Sequence, residues 1–208
     1  MLFRNPIEVI LRLLFLLPVL TIHEFSHAYA AYKMGDMTAK YKGRLTLNPF
    51  SHLDLIGTIA LLTVGFGWAK PVPINPLKFR KQRMGMLWVS LAGPLSNLLS
   101  AFLALLALML CYKFFAVPGI ISQAVYTFVI MSISLGVFNL IPIPPLDGSK
   151  ILITFASYKV QEFFWRYERY GIIALLLLIY VFSPVLSFII GMVDASFFSI
   201  INLLIGWI

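Results

Sequence analysis

His23-Glu24-Phe25-Ser26-His27 places two imidazoles four residues apart, with a carboxylate beside the first. On a helix, positions i and i+4 share one face, so both rings can reach a single ion, at zinc–nitrogen distances of about 2.0–2.1 Å. Glu24 then stands where it can take a proton from a water that the ion activates, which is the chemistry of a zinc hydrolase. A catalytic zinc also needs a third protein ligand and one open position. His52 is the only other histidine and Cys111 the only thiol, and most carboxylates fall in loops or near helix ends. Asp147 is the strongest candidate. It lies in Asn139-Leu140-Ile141-Pro142-Ile143-Pro144-Pro145-Leu146-Asp147-Gly148, where three prolines end an apolar helix. Helix rupture at membrane depth is tolerated where the backbone lines a cavity or is buried in protein. The plain alternative for Asp147 is a surface turn after a span. His52 reads as a structural hydrogen-bonding residue.

The elements that carry these groups belong to a chain whose solvent is lipid. Of its 208 residues 61% are hydrophobic and 12% charged, against roughly 45–50% and 25% in soluble chains; mean hydropathy is +0.94. Sixteen Lys and Arg against eight Asp and Glu give +8. The cations gather in short loops between apolar runs, as topology signals do, so the excess does not point to nucleic acid. A single cysteine excludes an internal disulfide and a thiolate cage.

Apolar runs of about 20 residues can cross a bilayer as helices. The candidates are residues 7–33, 86–115, 120–141 and 170–190, with a shorter run at 195–208 beyond the Ser183-Pro184 break. The first of these runs on into His23, with no small-residue cleavage site, and reads as a retained span rather than a signal peptide. Gly43-Arg44-Leu45-Thr46-Leu47-Asn48-Pro49 reads as a strand and turn, and the Pro-punctuated run from Ala69 to Pro76 cannot be helix. Basic clusters follow the first span, precede the one at 86 and follow the one at 120, so the positive-inside rule puts all three on the cytoplasmic side. Residues 53–68 then read as a re-entrant hairpin or half-helix. In that topology Asp147 returns on the same side as His23 and His27. A full crossing at 53–68 is the alternative, and it would deliver Asp147 to the opposite side.

His23-Glu24-x-x-His27, Gly93-Pro94-Leu95-Ser96-Asn97 and Asn139-x-x-Pro142-x-Pro144-x-Leu146-Asp147-Gly148 together resemble the site-2 protease family of intramembrane zinc metalloproteases. Asn48-Pro49-x-x-His52-x-Asp54-x-x-Gly57-Thr58 and Gly67-Trp68-Ala69-Lys70-Pro71-Val72-Pro73 resemble its compact bacterial members, those without PDZ or CBS domains. The resemblance implies one zinc held by His23, His27 and Asp147, with Glu24 as catalytic acid/base. It also implies that Asn139 helps hold the substrate strand or polarise its carbonyl. Asn97, among small residues on its helix, reads equally as packing or as an active-site residue that, like Asn139, binds the substrate or its developing oxyanion. The expected partners are the lipid bilayer and a transmembrane protein substrate, not nucleic acid.

The expected fold is thus an all-α polytopic membrane protein. It has about five to six transmembrane helices and a small re-entrant β or half-helix element. We expect one membrane-embedded metalloprotease domain over 1–208, its catalytic core at about 7–150 and accessory helices at 165–208, in the bacterial inner membrane. The glycine-containing stretch 57–68 is the expected edge for an unwound substrate. The competing reading is a membrane transporter or ion-binding protein using the His pair. It lacks the internal repeat and matched broken helices such proteins show.

Overall fold

A computed structural model describes residues 6–57, 68–167 and 170–206. Among the described residues seven α-helices follow one another: α1 (Pro6–Met34), α2 (Thr38–Tyr41), α3 (Gln82–Phe114), α4 (Gly119–Asn139), α5 (Asp147–Phe155), α6 (Tyr158–Tyr167) and α7 (Gly171–Ile205). The fold is that of a helical membrane protein. Among the described residues three helical stretches are long and apolar enough to cross a membrane: Gln82–Phe114, Gly119–Asn139 and Ile179–Ile205. The sequence reading expects five to six. Most of the segment expected to be re-entrant, residues 58–67, lies outside the described residues.

Two local expectations are corrected. The runs at 170–190 and 195–208, expected as two elements across Ser183-Pro184, form one helix with Pro184 inside it. A proline is tolerated there because, in lipid, any break would leave more backbone groups unsatisfied than the one lost N–H does. The strand expected at Gly43–Asn48 is absent, and among the described residues the only β pairing is an isolated bridge between Leu53 and Ala69. Side chains take the backbone acceptors a ladder would use. Arg44 donates to the Lys70 carbonyl, and the His52 ring bonds the Thr46 carbonyl at 2.8 Å.

Helix α3 is the hub, packed against α1, α4, α5 and α7. Ala101, Leu105, Val129, Ile133 and Ile201 form a solvent-excluded cluster where α3, α4 and α7 meet. Lys113 Nζ donates to the Ile205 carbonyl at 3.0 Å, so α3 and α7 end side by side. At the other end of α3, Val72, Ile74 and Phe79 pack on Ala28 and Ala31 of α1. The Pro-rich segment between residues 69 and 80 therefore lies along the C-terminal half of α1, the half that carries His23 and His27.

The break after α4 fixes α5. Helix α4 ends at Asn139, residues 140–146 turn through Pro142, Pro144 and Pro145, and Asp147 opens α5. A carboxylate in a first helical turn is favoured by the helix dipole. A side chain at Gly148 would collide with the Leu140 and Ile141 carbonyls, so only glycine lets α5 start against the end of α4. Arg83 of α3 donates to the Thr154 carbonyl at 2.7 Å and thereby pins the far end of α5.

Candidate metal centre

His23 and His27 lie one turn apart on α1, and Asp147 comes from 124 residues beyond His23 on α5. All three are buried, at 4%, 6% and 5% relative exposure. Their donor atoms form a compact triangle. His23 Nε2 and His27 Nε2 are 3.0 Å apart, and Asp147 Oδ2 is 3.2 Å from the first and 3.0 Å from the second. Ligands at about 2.0–2.1 Å in a tetrahedron stand about 3.3–3.4 Å from one another. The observed edges fall short by only a few tenths of an ångström.

Donor chemistry agrees with this fit. His27 Nδ1 lies 2.7 Å from the Val89 carbonyl, which can only accept, so Nδ1 carries the proton and Nε2 its lone pair. That lone pair faces a carboxylate oxygen at 3.0 Å. Two acceptors at this distance need a proton or a cation between them, and the third donor atom at the same point favours a metal ion. Lys150 Nζ donates to the other carboxylate oxygen, Asp147 Oδ1, at 3.3 Å, leaving Oδ2 for the shared position. Helix α3 passes close beside the rings. A Cβ on Gly93 would come within 2.7 Å of His23 Nε2 and closer still to His27 Nε2. Pro94 next to it lacks an N–H and interrupts the α3 backbone ladder at this level.

A cavity of about 350 Å³ opens in front of the triangle, lined by the three ligand candidates together with Glu24, Asn139 and Lys150. The Val72 N–H donates to Glu24 Oε2 at 3.0 Å. Pro71 and Pro73 have no N–H, so Val72 supplies the one backbone donor of that three-residue run. Asn139 keeps one amide N–H on the Leu135 carbonyl at 3.0 Å and borders the cavity. Asn97 does not line the cavity. It is fully buried at the back of His23, with its amide nitrogen 3.4 Å from His23 Nδ1. His52 is apart from the triangle and fully buried in the segment ahead of residue 58.

Sequence reasoning missed the carboxylate that moors the Pro-rich segment. Asp36, just past the end of α1, is fully buried. Its Oδ1 accepts from the Thr38 N–H at 2.9 Å and from the Thr38 hydroxyl, and its Oδ2 accepts from the Asn75 N–H at 2.6 Å. Burial alone would raise its pKa. The Asn75 and Thr38 donors outweigh that, with help from the Lys78 charge, and hold the carboxyl below its ordinary value. The signal was readable: an Asp two residues before a Thr, after the last turn of a helix, is a common turn pattern. The partner at residue 75 was not readable.

Comparison with known proteins gives this geometry a family. The chain is 42% identical to "Putative zinc metalloprotease YwhC" of Bacillus subtilis over 178 residues, 80% of this chain and 81% of that protein. The chain belongs to the site-2 protease family, peptidase family M50. The model for Peptidase family M50 matches residues 114–182, a stretch that holds Asn139 and Asp147. "Putative zinc metalloprotease Rip2" of Mycobacterium tuberculosis is 30% identical over 165 residues, 76% of this chain and 62% of its own length. Its namesake in Mycolicibacterium smegmatis is 31% identical over 169 residues, with shares of 77% and 62%. No solved structure matches the chain. As an M50 member this protein is a metalloendopeptidase carried on a helical membrane scaffold.

Proposed function

We propose that the protein cleaves transmembrane segments of other membrane proteins near the cytoplasmic face of the bacterial inner membrane. One zinc ion would be held by His23, His27 and Asp147. The observation that carries this reading is the convergence of two imidazoles and a distant carboxylate on one point inside an apolar helix bundle. Ionisable groups among membrane helices are costly, by about 2.5–3.5 kcal/mol for a central acid on insertion scales, and are kept where they bind or react.

When bound, zinc supplies Lewis acidity that polarises a peptide carbonyl and activates water near neutral pH. The remaining steps fall to the chain. Glu24 takes the proton of the attacking water on a carboxylate oxygen and delivers it to the leaving amide nitrogen, as a general acid/base does. The Val72 N–H steers that carboxylate towards the cavity. Asn139, with a second amide proton free of the Leu135 bond, is positioned to donate to the carbonyl oxygen as charge develops. Lys150 holds Asp147 in place and puts a positive charge on the cavity wall. A helical substrate hides its carbonyls in i→i−4 bonds, so it must unwind before attack. An extended segment paired to a strand edge is the conformation that exposes them.

The test is cleavage of a purified single-span substrate by the detergent-solubilised chain and by Glu24→Gln. The variant should keep its zinc and lose about 10²–10⁴-fold or more in rate. Wild-type-like cleavage by Glu24→Gln would remove Glu24 from the chemistry.

A further inference from the structure

Val89, Gly93 and Asn97 are spaced i, i+4 and i+8 on α3, so they share one face of the helix. That face meets the two imidazoles of α1. The Val89 carbonyl takes His27 Nδ1, Gly93 makes the close approach, and Asn97 reaches His23 Nδ1 one turn further on. The two histidines are thus contacted in parallel at the nitrogen that does not face Asp147. Only the first contact is chemically complete. Asn97 is solvent-excluded and its Oδ1 has no hydrogen-bond partner among the described residues. A buried amide oxygen left without a donor costs about 1–3 kcal/mol. Which end of an asparagine amide is oxygen is decided by the partners around it.

We propose that Asn97 is the positioning residue of His23, its side-chain oxygen accepting the His23 Nδ1 proton so that Nε2 is free to bind the metal. This rests on the metal-centre reading above. Half a turn of the carboxamide exchanges Oδ1 and Nδ2, which puts an acceptor against the ring, gives His23 the same arrangement Val89 gives His27 and moves the unpartnered end of the amide from Oδ1 to Nδ2. In the orientation the structure shows, with Nδ2 3.4 Å from Nδ1, the amide N–H donates to Nδ1 and the ring proton moves to Nε2. It would then lie between His23 and Asp147 Oδ2, 3.2 Å away, where the metal should sit. The orientation of one buried amide therefore sets which His23 nitrogen is favoured to carry the proton and which is left for the metal. Partners of this kind are worth roughly 10–100-fold in metal affinity.

The experiment uses the full chain in detergent with Glu24→Gln as parent, so that metal binding is read without turnover. Zinc affinity is measured by competition with a chromophoric chelator. Asn97→Asp, which can only accept, should bind within about threefold of the parent, and Asn97→Leu, of similar size with no acceptor, should bind about 10–100-fold more weakly. Nitrogen NMR of histidine-labelled protein, simple with three histidines, should show His23 protonated at Nδ1 in the zinc-loaded parent and in the Asp variant. Parental affinity in the Leu variant overturns the role of Asn97. So does a tenfold loss in an Asp variant that unfolds at the parental temperature, or an unprotonated His23 Nδ1 in the loaded parent. The last two readouts decide the matter even where the Leu variant does not fold. A parent that binds no zinc overturns the metal-centre reading itself.

Discussion

The backbone N–H of Val72 donates to Glu24 Oε2 across 3.0 Å, joining a Pro-rich loop to the carboxylate inside the HExxH motif. Neither residue reaches the other through chain continuity; 48 positions separate them. The loop is seated by Val72 and Ile74 on Ala28 of α1 and by Asn75 on Asp36. Glu24 is therefore held by a segment anchored both to its own helix, at Ala28, and to the turn just past that helix, at Asp36. That arrangement orients the carboxylate without adding a charge to the cavity.

Val72→Pro removes this donor while leaving an extended, proline-flanked segment. A hydrogen bond to a charged group contributes about 1.5–3 kcal/mol. The variant should keep parental zinc content and lose roughly tenfold or more in cleavage rate. Metal analysis alongside single-turnover kinetics checks this; an unchanged rate would detach Val72 from catalysis.

Asp147→Ala takes one of three donor atoms from the triangle. Loss of an outer partner alone costs roughly 10–100-fold in affinity, so removal of a ligand should exceed about 100-fold. Lys150, half exposed, loses its partner at little cost. Chelator competition on the purified variant measures the effect, and unchanged zinc affinity would exclude Asp147 from the ligand set.

The parts of this centre that were legible in the sequence are those written in local spacing. His23, Glu24 and His27 follow from one helical period, and the three prolines before Asp147 mark a broken helix. The contact between Asp147 and the histidines spans 124 residues. It was inferred through the side of the membrane on which each group emerges and through the family resemblance of the motifs. Val72 to Glu24, Asp36 to Asn75 and Val89 to His27 were not legible, because each uses a backbone group, and every residue type offers those. The expected strand at Gly43–Asn48 failed for a related reason. The segment reads as a strand and turn, but Arg44 and His52 make side-chain bonds to carbonyls in and beyond it. Asn97 was readable as polar among small residues, yet only the packed structure shows which atom it faces.

Gly93→Ala places a methyl group against both imidazoles. Helix α3 cannot retreat freely, since its other faces pack on α4, α5 and α7. Overpacking of this kind costs about 1–3 kcal/mol. The rings must shift, so the larger effect should fall on metal binding. Zinc at about 100 times its dissociation constant stabilises the parent by about 2.7 kcal/mol. Thermal unfolding with and without zinc should show most of that increment lost in the variant. A full zinc-dependent shift in Gly93→Ala would mean that the close approach of α3 has no part in shaping the site.

Asp36 gives the loop that carries Val72 a pH dependence of defined sign. Its carboxyl titrates lower in the folded protein than the ordinary value of about 3.9, because the Asn75 and Thr38 donors and the Lys78 charge favour the ionised form over the opposing effect of burial. A depressed folded-state pKa stabilises the protein fully above the unfolded value. The contribution fades as pH falls below about 3.9 towards the folded value. Asp36→Asn keeps one acceptor but turns an amide N–H towards another donor, at a cost of about 1–3 kcal/mol. Denaturant unfolding should therefore find the parent more stable than the variant by a constant margin above about pH 6, and by a shrinking margin below about pH 4. A margin that is flat across that range would show that Asp36 does not titrate with folding, and that the loop is held by its apolar contacts alone.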